Sequence, residues 1–128
     1  MTEAAALPRG RSNYPTPYRI GAGIVSQLPD ACRELGFARV LVVTDAGVAG
    51  LPWFAALRAS LSDAGLLGDV FSAVSANPTG ADVDAGLAAF RAAKADGIVL
   101  VGGGSPMDVG KCVALLAHNP GTVFDYED

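Results

Sequence analysis

Val99-Leu100-Val101-Gly102-Gly103-Gly104-Ser105-Pro106-Met107-Asp108 runs from a leucine and β-branched stretch through three glycines into a helix start. With Gly97 and Ile98 it forms the strongest strand pattern in the chain and reads as a buried strand. Ser105 and Asp108 have the spacing of a capping box, and Pro106 suits a first helical position. Consecutive glycines cost backbone entropy, so they need a reason. The usual one is that another group must approach the backbone closely. At a helix N-terminus the free N–H groups and the dipole favour an anion, phosphate above all. The plain alternative is a tight strand-to-helix turn with no ligand.

Upstream, two periods alternate. Leu28, Cys32 and Leu35 are spaced as one face of a helix ending near Gly36. Val40-Leu41-Val42-Val43 reads as a strand buried on both faces. Pro52 opens a helix that Phe54, Leu57 and Leu61 continue to Gly65. Val70-Phe71 marks a shorter strand, and Asn77-Pro78-Thr79 a turn. Thr79 and Asp82 make a capping box before the apolar stripe Val83, Leu87, Phe90. Val109, Val113 and Leu116 carry a last helix to about His118, before Pro120. Tyr18-Arg19-Ile20 suits a short edge strand, and residues 1–17 read as a loose, proline-containing arm. Strands and helices alternating with short connections specify a parallel α/β sheet, Rossmann-like, with helices on both faces.

Composition narrows the function classes. The chain has 128 residues, 51% of them hydrophobic and 17% charged, with a formal net charge of −4. Its mean hydropathy is +0.36. This is a globular composition, not a disordered one. The acidic balance argues against nucleic acid or an anionic membrane as partner. No apolar run approaches a membrane span of roughly 18 residues, and Met1–Ala6 carries no secretory signal pattern. Two distant cysteines form neither a disulfide framework nor a zinc set, which points to a cytoplasmic location. The single histidine, His118, cannot supply a multi-histidine metal site, and its place at a helix end suits a dipole-facing role. Cys32, Cys112 and Trp53 read as packing residues.

Two phosphate-loop types are tested by spacing, and neither is favoured. Lys111 follows Gly110, but Ser105 stands where a Walker A loop needs its first glycine, and Cys112 replaces the hydroxyl. Gly21-Ala22-Gly23 lacks the third glycine of the dinucleotide fingerprint and reads as a turn before a helix. Asp45 closes the run Val40–Thr44 at the carboxyl end of a strand, where open α/β sheets bind ligands. It suits ribose hydroxyls and equally suits a cap for Ala46-Gly47. A receiver-like reading with Asp45 as phosphoryl acceptor lacks an acidic pair after a first strand and a lysine after a late one.

Val43-Thr44-Asp45, Asn77-Pro78-Thr79 and Gly102-Gly103-Gly104-Ser105-Pro106-Met107-Asp108 with Lys111 together resemble the iron-containing (group III) alcohol dehydrogenase family. The resemblance runs from about Tyr18 to the end of the chain and implies the dehydroquinate synthase-like fold. It implies a dinucleotide-binding domain over residues 18–128. Gly103, Gly104 and Ser105 would receive the NAD pyrophosphate. Asp45 would hold the adenosine ribose and disfavour NADP, and Asn77 would reach the cofactor near its middle. Asp108 and Lys111 would line the same pocket, Asp108 also serving as a cap. Gly110 departs from the alanine usual in the family. The family's Fe2+ is held by an aspartate and three histidines on a later helical domain, so no catalytic or metal-binding residue is expected on this chain. The domain is expected to be incomplete, self-associating and inactive alone toward a small alcohol or aldehyde. A stand-alone nucleotide-binding module is the alternative, as is a piece of a glycerol dehydrogenase or maleylacetate reductase relative.

Overall fold

The computed structural model describes residues 18–119 and Gly121, so the expected arm 1–17 lies outside the described residues. The elements are α1 (Leu28–Glu34), β1 (Val40–Val43), α2 (Ala46–Ala49) and α3 (Pro52–Asp63). They are followed by β2 (Leu67–Phe71), α4 (Gly80–Ala92), β3 (Gly97–Leu100) and α5 (Gly104–Ala117). All strand pairs are parallel, in the order β2-β1-β3.

β1 is central, and all four of its side chains are fully buried. Alternation divides them between two cores. Val40 and Val42 pack with Cys32, Phe54, Leu57 and Leu61 of α1 and α3. Leu41 and Val43 pack with Val83 and Phe90 of α4 and Val109, Val113 and Leu116 of α5. Helices therefore cover both faces, as the sequence pattern requires.

The chain leaves β1 toward β2 through α3 and reaches β3, on the other side of β1, through α4. The winding direction thus reverses between β1 and β3. This reversal is the switch point at which doubly wound sheets open a crevice beyond their carboxyl ends.

Several expectations need correction. Among the described residues β3 pairs only with β1, and Ile98, Val99 and Leu100 are half-buried where a buried strand is expected. β2 begins at Leu67, earlier than its apolar residues suggest, because parallel pairing with β1 overrides the weak strand propensity of Gly68 and Asp69. Tyr18-Arg19-Ile20 forms no strand: Tyr18 and Ile20 are exposed, and Arg19 pairs with Glu34. Leu35 is exposed because α1 ends at Glu34, Gly36 turns the chain at φ +81°, and Phe37 packs on the core instead. Trp53 is half exposed, meeting Phe54 edge-on at 6.4 Å rather than wedging helix to sheet.

Gly110, in the middle of α5, has a packing explanation. A Cβ there would fall 1.9 Å from a methyl of Leu100, so glycine lets α5 lie close against β3. Cys32 and Cys112 pack as expected, and burial pushes the Cys32 thiol pKa up.

Candidate functional site

Thr44 is the one fully buried polar side chain among the described residues, and it ties the carboxyl ends of the three strands together. Its N–H donates to the Phe71 carbonyl at 2.9 Å, at the end of β2. Its hydroxyl donates to the Val101 carbonyl at 2.7 Å, just past β3. Sequence pattern alone assigns Thr44 no role. A hydroxyl ending a wholly apolar strand was the available signal, since a buried polar group must find a partner.

The next residue in each direction builds the crevice. Asp45 caps α2, its Oδ1 accepting the Val48 N–H at 2.8 Å. Its other oxygen faces the glycine loop: a Cβ placed on Gly102 would lie 3.6 Å from Oδ2. Asp45 is thus a cap and a crevice-facing carboxylate at once, so the two sequence readings of it do not compete.

The three glycines are not equivalent. Gly102 has φ +131°, a conformation L side chains rarely adopt, and a Cβ there would meet Pro106 Cγ at 3.1 Å. The turn itself therefore demands glycine at 102. Gly103 sits at φ −89°, ψ −150°, open to any residue, and Gly104 is helical. A Cβ on either would meet nothing within 4 Å, and both are exposed. Neither backbone strain nor internal packing explains them.

α5 starts at Gly104, with Gly103 as N-cap and no side-chain cap, so the Ser105–Asp108 capping box does not form. Pro106 occupies the third helical position rather than the first, where its missing N–H still costs nothing. The reason is tertiary. The Ser105 hydroxyl is engaged across the fold, donating to the Ala76 carbonyl at 3.0 Å in the loop after β2, and Ser105 itself lies inside the first turn of α5 rather than at its N-cap. That bond brings the Asn77 loop to the glycine turn. Asp108 is exposed in the second turn of α5 and serves no cap.

Gly104, Asp108 and Lys111 fall at i, i+4 and i+7, one exposed stripe of α5 opposite the buried Pro106, Val109 and Val113. At 1.5 Å per residue, Asp108 lies about 6 Å and Lys111 about 10 Å along the axis from Gly104. The structure therefore gathers Asp45, Asn77, Gly103, Gly104 and Ser105 at the carboxyl edge and sets Asp108 and Lys111 down the adjoining helix. His118 is the C-cap residue of α5. It borders an apolar hollow with Phe37, Phe90 and Ile98 at the opposite end of the sheet.

Among the described residues no group of three or more His, Cys, Asp or Glu side chains could hold a metal ion. No helix there is long and apolar enough to cross a membrane.

A doubly wound parallel sheet with an open glycine turn at its switch point defines an α/β protein of Rossmann-like architecture. The sequence model of the iron-containing alcohol dehydrogenases matches residues 15–128, and the chain belongs to that family. The 4-hydroxybutyrate dehydrogenase of Cupriavidus necator is 41% identical over 115 residues, 88% of this chain and 29% of that protein. A crystal structure of a 1,3-propanediol oxidoreductase superposes with a TM-score of 0.78 at 34% identity, covering 83% of this chain and 28% of the other. The sulfoacetaldehyde reductase of Bifidobacterium kashiwanohense, solved in complex with NAD+, gives 0.71 at 27% identity, covering 81% and 27%. The chain spans less than a third of the length of these relatives.

Proposed function

We propose that the crevice binds NAD and that the chain is the cofactor-binding portion of an iron-type alcohol dehydrogenase, passing hydride between an alcohol or aldehyde and NAD. One observation carries this reading: Gly103 and Gly104 are glycines for which the fold has no use. Their missing side chains leave the uncapped start of α5 open, as a pyrophosphate requires.

In this reading the N–H groups of Gly104 and Ser105 face the pyrophosphate. Asp45 Oδ2 accepts from the adenosine ribose and repels a 2′-phosphate, favouring NAD over NADP. Asn77 meets the cofactor near its middle, and Asp108 and Lys111 flank it along α5. Bound NAD supplies the hydride acceptor; this chain's residues bind and orient it. The family's iron does not fit the described residues, which bring no donor set together, so no step is assigned to it. Turnover accordingly requires groups beyond these. The side of β3 with no strand beside it among the described residues favours association with a second strand, and two free cysteines suit a reducing, cytoplasmic setting.

Titrating the purified chain with NAD+ tests the reading. Saturable binding that is weaker for NADP+ and lost in Gly104→Val is the expected result. A folded wild-type chain that binds neither dinucleotide would overturn it.

A further inference from the structure

The loop after β2 is held on both sides of Asn77, on one side through the capping box of α4 and on the other by a bond that no helix or strand needs. Val74 roots it in the core. On the α4 side, Asp82 Oδ1 accepts the Ser75 hydroxyl at 3.2 Å and Oδ2 accepts the Thr79 N–H at 3.0 Å. On the α5 side, the Ala76 carbonyl accepts the Ser105 hydroxyl at 3.0 Å. None of these bonds uses the Asn77 side chain, yet they bracket it.

A serine hydroxyl has one proton to donate. At Ser105 that proton is committed to Ala76, and a phosphate oxygen, an acceptor at neutral pH, cannot receive it as well. The backbone N–H of Ser105 has no such commitment to the loop.

We infer that Ser105 is a positioning residue for Asn77: with Asp82 its hydroxyl clamps residues 75–79 against the start of α5, so the cofactor meets an amide already in place. This rests on the crevice being a dinucleotide site. It separates two duties within one residue, the N–H directed to the ligand and the hydroxyl to the loop. Ordering the loop in advance spares the ligand that entropic cost.

Two measurements on the chain decide it. The first is hydrogen exchange of the peptide covering 74–79, without NAD+. Ser105→Ala speeds exchange there while the amides of β1 keep their protection, and Ser105→Thr, which keeps the hydroxyl, restores the slow rate. The second is NAD+ affinity in a double-mutant cycle. Ser105→Ala weakens binding about fivefold, in line with one ordinary hydrogen bond, but costs nothing further when Asn77 is already alanine. Independent losses at the two positions, with unchanged loop exchange, would mean that the hydroxyl acts on the cofactor directly and would overturn the clamp. If the wild-type chain binds no NAD+, the functional reading falls while the exchange arm still decides the clamp.

Discussion

The Thr44 hydroxyl and the Val101 carbonyl, 2.7 Å apart, hold the two halves of the crevice in register, because Asp45 follows one and Gly102 the other. Thr44→Val keeps the shape of the side chain and leaves that carbonyl without its donor. A loss of about 1–2 kcal/mol is expected, read as a lower denaturant midpoint at unchanged slope. A variant as stable as its parent would show that the bond contributes nothing net.

Gly102 and Gly104 separate fold from ligand. Gly104→Val puts a side chain into open space, so far-UV circular dichroism persists while dinucleotide binding disappears. Gly102→Val forces a β-branched residue to φ +131° and toward Pro106, so the fold itself suffers. Equal binding in Gly104→Val and wild type would remove the phosphate from this site.

Cofactor choice is tested best with Asp45→Asn. Asparagine caps helices as well as aspartate does, so α2 is retained while the charge is removed. A carboxylate near a 2′-phosphate costs on the order of 1–4 kcal/mol at surface-like dielectric. The NAD+ to NADP+ affinity ratio should therefore fall at least about fivefold. An unchanged ratio leaves Asp45 as a cap alone.

Acid stability involves the other end of the sheet. The Asp96 carboxylate accepts the N–H groups of Ala38 (3.0 and 3.1 Å) and Arg39 (2.9 Å). These bonds hold its pKa below the ordinary 3.8, against a smaller opposing effect of desolvation. Because the folded value is the lower one, the charged form stabilises the fold above the unfolded pKa. That stabilisation is lost as pH falls from about 3.8 through the folded value. Asp96→Asn should be less stable near neutrality and show a flatter acid limb in denaturation midpoint against pH. Parallel curves for the two proteins would deny the linkage.

Association is expected through β3, whose far side has no strand beside it among the described residues. Val99→Lys on this half-buried strand should shift the chain toward monomer in sedimentation velocity, charge being a common guard of strand edges. A wild-type chain that sediments as a monomer at all concentrations would rule this out.

The local sequence by itself determined the class of sheet and most of the elements, the short helix α2 and the strand expected at Tyr18–Ile20 excepted. The apolar run Val40–Val43, the Thr79–Asp82 box and the helical stripes all state their own period, and period is a property of neighbours along the chain. The glycine turn and Asp45 were likewise legible as residues at strand ends. Only the tertiary structure decided what each does there. Nothing local tells that Ser105 donates across 29 positions to Ala76 instead of capping α5, or that Thr44 reaches Val101 across 57. Nor does local pattern tell that Gly102 serves the turn while Gly103 and Gly104 leave space. A hydroxyl or a glycine has several satisfactory local uses, and the choice among them depends on which distant carbonyl or side chain the packed helices bring within reach.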